Sequence, residues 1–333
     1  MVDAGSLAVV GLIEVAGHIP RIYREYRKLL AAAGENRPDV AILTDSPDFH
    51  LRVARKLHRR GIPVVYLVAP QVWAWRKGRI REMRRTIRRL LCIFPFEEEF
   101  FARERVAATY IGHPLAGLVR PFLTRDEFFR KHRLAPERPL IVLLPGSRRG
   151  EARRHLPALV DAADRLYREQ AVNLILPASA TTGAGFFKAR LGDSPIKVIE
   201  GESWDAMAHC DVALAASGTV TVEAALLGTP MATFYKVTAA SWMAGKFLVD
   251  VPFYSMVNLI AGRALVPELM QGQMTGPNLA REARRLLSDS AARAEMKAGL
   301  AEVRDKLSGR EGAPARAAGV IQEILEGQLT HVS

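Results

Sequence analysis

Short apolar runs at 40–44, 64–68, 91–94, 140–144, 172–177, 197–199, 211–216 and 231–235 read as buried strands. Between them, apolar residues recur every three or four positions, which predicts helices. Pro20 to Ala33 turns Ile22, Tyr23, Tyr26, Leu29 and Leu30 toward a core, and the basic segment 77–90 does the same with Ile80, Met83, Ile87 and Leu90. Further helices are expected at 48–60, 95–103, 155–169, 181–191, 203–209 and from Val220 to the break at Gly228 and Pro230. From Ala239 onward the pattern is helical around a loop at 251–262, ending in helices at 278–306 and 311–327. Strand, helix and strand in succession call for a parallel sheet with crossover helices. The pattern runs twice, with a charged, proline-bearing connection at 116–138 between the runs. The expected class is therefore α/β, with two doubly wound Rossmann-like domains facing a cleft and ligands at the carboxyl ends of the strands.

The stretch 211–231 concentrates the chemistry. A strand ends in Ser217-Gly218-Thr219 and a helix starts at once, leaving unpaired N–H groups and a favourable dipole for an anion. Glu223 follows Thr219 by one helical turn, so a phosphate at the turn and a sugar diol at the carboxylate would use the whole arrangement. An ordinary capped helix start is the plainer reading. After the strand 140–144, Gly146 permits close backbone approach, and Ser147 and Arg148 offer donors suited to a diphosphate, or else form a turn with a solvated arginine. There is no GxxxxGK[ST] spacing here, which argues against a nucleotide-hydrolysing P-loop.

Asp45 and Asp48 flank Pro47 after the strand 40–44, where either serves as a general base or as a turn and helix cap. Trp73 and Trp75 lie in a loop and either clamp a ligand or pack against a wall. His113, in a Gly-His-Pro turn, donates to a ligand or holds the turn.

Composition narrows the classes. The 333 residues exceed one ordinary core, and 49% are hydrophobic and 25% charged, as in a soluble globular protein. A formal charge of +12 points to an anionic partner or surface. Without a zinc signature, a helix-turn-helix pattern or an aromatic-basic sheet, nucleic acid is not expected. Cys92 and Cys210 are isolated, and the histidines lack metal spacing. No apolar run is long enough to span a bilayer, and no signal peptide is read at the start, so a cytoplasmic protein is expected.

The segments VVGLIEV (9–15), RPDVAILTDSPDF (37–49), APQVWAWRKGRI (69–80), FPFEEEFF (94–101), YIGHPLA (110–116), LLPGSRRGE (143–151), ASGTVTVEAALLGTPM (216–231) and VNLIAGRALVPELMQ (257–271) occur in one order. In these the chain resembles the lipid-A-disaccharide synthases, glycosyltransferases of GT-B type. The resemblance implies an inverting transfer from UDP-2,3-diacylglucosamine to 2,3-diacylglucosamine 1-phosphate. It implies no cofactor and no metal. It makes Asp45 the base and Arg148, Ser217, Gly218, Thr219 and Glu223 the UDP wall. Asn258 and the loop after it resemble another part of the donor region, and Asp48, Trp73, Trp75, Arg76 and His113 are expected, from the residues themselves, to bind substrate. The family also implies a peripheral position on an anionic membrane, at the inner face of the bacterial inner membrane, and leaves a homodimer open.

The expected division is an acceptor-side domain at 1–125, a UDP-sugar domain at 126–305 and a C-terminal helix at 306–333 packing back on the first domain. Family members carry a further N-terminal strand and a GEASGD-like loop ahead of the point where Met1 stands. The first domain is therefore expected to be N-terminally incomplete, with a core edge exposed, and either translation starts upstream or this form folds poorly and transfers slowly. Val257 replaces a proline frequent in the family. Two other functions stay open: a transferase or epimerase acting on another UDP-sugar, and a non-catalytic binder of UDP-sugar or lipid.

Overall fold

The computed structural model describes residues 12–239, 241–243, 251–309 and 312–329. The segment 9–11, the part of the expected helical stretch at 240 and 244–250, and the chain's first residues lie outside that set. Two compact units emerge, Met1–Pro114 together with Gly309–Ser333, and Leu115–Ser308.

The first unit carries a parallel sheet in the order β1 (Ala41–Thr44), β2 (Val64–Leu67), β3 (Arg89–Cys92), β4 (Ala108–Tyr110). Strand periodicity sorts its side chains to two faces. Leu43, Val64, Tyr66, Leu90 and Cys92 pack with α1 (Leu12–Asn36), α2 (Pro47–His58), α3 (Ile80–Thr86) and α4 (Pro95–Arg103) through Leu30, Leu51, Leu57, Met83 and Phe101. Val65, Leu91 and Ile111 meet Ala313, Ala317 and Ile324 of the C-terminal helix (Ala313–Leu329) on the other face.

The second unit follows with α5 (Arg125–Lys131), β5 (Leu140–Leu144), α6 (Arg149–Glu169), β6 (Asn173–Ala178), α7 (Ala184–Leu191), β7 (Lys197–Glu200), α8 (Ser203–His209), β8 (Val212–Ala216), α9 (Thr219–Leu226), β9 (Met231–Tyr235), α10 (Met256–Ala261), β10 (Glu268–Met270), α11 (Gly276–Ser288) and α12 (Ser290–Leu307). The C-terminal helix of the first unit is thus α13. The parallel sheet runs β10-β9-β8-β5-β6-β7, the doubly wound Rossmann order. All five residues of β5 and of β8 are buried, as their unbroken apolar runs require.

Several expectations are corrected. The basic helix at 77–90 is a short 3-10 turn, Lys77–Arg79, followed by α3, and the chain is extended from Ile87 because Arg88 N donates to Val64 O at 2.7 Å and Arg89 enters β3. The apolar stripe is nevertheless buried at all four positions, Ile80, Met83, Ile87 and Leu90. Tyr23 faces solvent and stacks on Tyr26. The helix expected at 278–306 is two, because the carboxylate of Asp289 accepts from Ala292 N and caps a new start. The segment 115–125 joins the second unit, where buried Asp205 accepts from Phe122 N and Leu123 N at 2.7 and 2.6 Å.

Candidate active site

In the second sheet, β5 leads to β6 and β7 on one side and is flanked by β8 on the other, with Leu144 opposite Ala215. Connections therefore diverge between β5 and β8, and their carboxyl ends open a crevice there. The loops at 145–148 and 217–219 border it. Together with Pro177 to Ala180, Gly201, Ser203, Glu223 and Tyr235 they line a cavity of about 560 Å³.

Gly146 has a φ of 106°, and a Cβ there would stand 3.0 Å from the Glu151 carboxylate. Both the left-handed backbone and the close approach require glycine. Glu151 Oε1 accepts from the Tyr235 hydroxyl at 2.8 Å, and Arg148 Nη1 lies 3.7 Å from the same oxygen. Beneath the loop, His155 is fully buried, its Nδ1 2.8 Å from Pro145 O and its Nε2 3.1 Å from Lys236 N. Burial pushes its pKa down, against the pull of the Pro145 and Lys236 carbonyls and of Glu151, so the ring is neutral. Nδ1 then donates to Pro145 and Nε2 accepts from Lys236 N–H, which ties the ends of β5 and β9 together.

Ser217 N donates to Phe234 O at 2.8 Å and its hydroxyl donates to Tyr254 O at 2.9 Å, so this side chain is already engaged within the loop. Gly218 is exposed and extended, and a Cβ placed on it would meet nothing within 4 Å. Among the described residues, nothing fills that volume. Thr221 N and Oγ1 both donate to Gly218 O, fixing the first turn of α9 with its leading N–H groups toward the crevice end of the sheet.

Glu223 lies one turn further on. Its Oε2 accepts from the indole N–H of Trp204 at 2.7 Å, while its Oε1 takes no hydrogen bond among the described residues. Burial raises the carboxyl pKa, and the Trp204 bond works the other way. Arg148, Ser217, Gly218, Thr219 and Glu223, expected together from the sequence, thus share one cavity. Asn258 does not line it: it is buried, its amide nitrogen donates to Val266 O and Glu268, and its oxygen accepts from Leu265 N and Val266 N. Glu268 in turn accepts from Tyr254 N and Ser255 N, so Asn258 braces the strand-edge loop that meets Ser217.

In the first unit, Asp45 follows β1 with a φ of 55°. Its carbonyl accepts from the Tyr66 hydroxyl at 2.6 Å and from His50 Nδ1 at 2.9 Å, which pins the backbone. The Asp45 carboxylate is exposed and takes no hydrogen bond or ion pair among the described residues. Asp48 is the opposite case: Arg76 Nη1 reaches both of its oxygens at 3.0 Å and Arg79 Nη2 also donates to it. Partial burial would raise the Asp48 pKa, but the hydrogen bond and charge of Arg79, then Arg76, hold it below the usual range.

The Arg76 guanidinium lies 4.4 Å over the exposed ring of Trp75. Trp73 is only 8% exposed, packs edge-on to Phe96 and donates its indole N–H to buried Glu97 at 3.0 Å. His113 is buried against Phe94, and burial pushes its pKa down to about 4. Trp73 is thus engaged in packing and a buried hydrogen bond, and the His113 ring is packed on Phe94. No local spacing in the sequence marks Trp204, His155 or Tyr235, whose partners include Glu223, Lys236 and Glu151 on other elements.

A sequence model of the family described as lipid-A-disaccharide synthetase matches residues 1–320. The chain belongs to that family. The lipid-A-disaccharide synthase of Solibacter usitatus (strain Ellin6076) is 78% identical over all of this chain and 87% of its own length. In solved structures the synthetase fold resembles a calicheamicin glycosyltransferase, with a TM-score of 0.60 and 17% identity over 96% of this chain and 82% of that one. It also resembles the UDP-GlcNAc 2-epimerase from Neisseria meningitidis bound to UDP-GlcNAc, at 0.59 and 11% over 92% and 81%. These likenesses are of fold: two Rossmann-like units of GT-B architecture, as expected from the sequence. Among the described residues of this synthetase-family chain, no three His, Cys, Asp or Glu side chains are grouped to hold a metal ion, and no helix is long and apolar enough to cross a membrane.

Proposed function

We propose that the chain joins UDP-2,3-diacylglucosamine to 2,3-diacylglucosamine 1-phosphate, giving a β-1,6-linked disaccharide phosphate and UDP, with the donor's nucleotide in the cavity between the β5 and β8 loops. One observation carries that placement. An unpaired Glu223 oxygen and the amino end of α9 face the same cavity, so a diol and a diphosphate find their complements one helical turn apart. The exposed Arg148 guanidinium supplies a fork of donors to the diphosphate.

In the transfer, the acceptor's 6-hydroxyl oxygen bonds to the donor's anomeric carbon while that carbon's bond to the phosphate oxygen breaks. The configuration inverts and the electron pair leaves with UDP. Asp45 takes the hydroxyl proton, a role supported by its exposed, unpaired carboxylate on a pinned backbone. Arg148 and the α9 amino end offset the charge developing on the diphosphate. Asp48, held by Arg76 and Arg79, fixes the loop beside the base. Acylated substrates and a net charge of +12 support a peripheral position on the anionic cytoplasmic face of the inner membrane.

Asp45→Asn tests the assignment of the base. Turnover is expected to fall by about 10²–10⁴ with UDP affinity within about twofold of wild type. Parallel loss of turnover and UDP affinity would instead make Asp45 a folding or binding residue.

A further inference from the structure

Trp204 has no assigned part in the reaction, yet its indole N–H holds one oxygen of Glu223 at 2.7 Å. Glu223 is partly buried and lines the nucleotide cavity, while Trp204 stands outside that lining, among the residues of a second, smaller hollow with Phe122, Leu123, Lys131 and Glu202. The indole is itself held. Phe122, 71% exposed, stacks on it with centroids 6.1 Å apart and planes within 12°. That ring is placed by the Asp205 carboxylate, which accepts from the backbone N–H of Phe122 and Leu123. A chain of contacts therefore runs from buried Asp205 through Phe122 and Trp204 to Glu223.

A carboxylate on a flexible side chain can turn either oxygen to a ligand, and its rotamer freedom weakens any geometric demand it makes. Here one oxygen is occupied from behind and the other is left to the cavity. We propose that Trp204 is a positioning residue which orients Glu223 so that its free oxygen reads the ribose hydroxyls of the nucleotide, with Phe122 fixing the indole plane. This rests on the reading of Glu223 as the ribose partner. A carboxylate fixed in this way strongly prefers a ligand bearing hydroxyls, because an analogue lacking them leaves a partly buried charged acceptor unpaired.

The test is calorimetric titration of the full chain with UDP and with 2′,3′-dideoxy-UDP, for wild type, Trp204→Phe, Phe122→Ala and Glu223→Gln. Wild type is expected to prefer UDP by about tenfold or more, a typical span for hydrogen bonds to a charged group. Trp204→Phe removes the N–H and should shrink that preference to about threefold or less, with dideoxy-UDP affinity unchanged. Phe122→Ala, at an exposed position that tolerates truncation, should shrink it part-way and serves if Trp204→Phe does not fold. Glu223→Gln should shrink it as well. A merely structural Trp204 would lower the melting temperature and leave the ratio intact. A wild-type preference that Glu223→Gln reduces, while Trp204→Phe and Phe122→Ala leave it unchanged, overturns the proposal alone. Equal wild-type affinity for both nucleotides overturns the ribose reading of Glu223, and the proposal with it.

Discussion

At the scale of single residues, Gly146 and Glu97 each lead to a sharp expectation. Gly146→Ala puts a Cβ on a left-handed backbone 3.0 Å from the Glu151 carboxylate. A loss of about 1–3 kcal/mol in stability is expected, with weakened UDP binding as Glu151 moves against Tyr235 and Arg148; chemical denaturation and UDP titration check both. Glu97 is fully buried, and burial pushes its pKa up to about 7 even though Trp73 and the backbone of Phe94 and Ile93 pull it down. The folded chain therefore keeps this proton to about pH 7, while the unfolded chain releases it near 4.5. Its contribution to stability is best below pH 4.5 and worsens as pH rises to about 7, by on the order of 3 kcal/mol. Denaturation of Glu97→Gln between pH 4.5 and 7.5 should lack that slope, though Gln can accept only one of the two bonds from Trp73 and Phe94. The shared placement of Gly146, Arg148, the 217–219 turn and Glu223 around one cavity was legible in the sequence because it rests on local order: strand, turn, helix. Nothing in the sequence shows that the polar groups of Asn258 and Trp73 are engaged by Val266, Glu268 and Glu97, because these partners are brought together only by the fold.

Between elements, the end of β5 is joined to the end of β9 by His155. His155→Leu removes both hydrogen bonds and strands Lys236 N–H and Pro145 O, so a loss of about 2–4 kcal/mol is expected, together with a looser 145–148 loop and weaker UDP binding. Because the folded pKa of His155 is depressed, its contribution is full above about pH 6.5 and is lost as pH falls and the unfolded chain takes up a proton the folded one resists. Comparing the pH dependence of stability in His155→Leu and wild type checks the sign. Most strands were legible as apolar runs, but β4 and β10 were not. Each has three residues, too few for a periodic signal, and they are recruited as strands by pairing with β3 and β9. The helix expected at 77–90 stops early for a related reason: its apolar stripe continues into β3, where Leu90 is still buried but by strand geometry.

For the whole molecule, the two-unit α/β plan followed from the doubled pattern of strands and helices, while the packing of the C-terminal helix on the first unit's sheet rests on contacts of Ala313, Ala317 and Ile324 that no spacing announces. The segment 115–125 was not separable by composition, since its anchor is the side chain of Asp205 far along the chain. The net charge of +12 bears on where the substrates are met. Sedimentation with vesicles rich in anionic phospholipid should deplete the protein from solution at low salt and lose most of that effect near 0.5 M salt, whereas vesicles of neutral lipid should leave it in solution. Salt-independent binding would instead point to apolar insertion.

The central claim is an acceptor-dependent glycosyl transfer. Its most direct measurement is UDP release from UDP-2,3-diacylglucosamine by the purified chain, with and without 2,3-diacylglucosamine 1-phosphate, followed by mass analysis of the lipid product. Release that requires the acceptor, matched by one disaccharide phosphate for each UDP, is the predicted result. UDP binding with no acceptor-dependent release, or release accompanied by epimerised sugar and no disaccharide, would contradict the account.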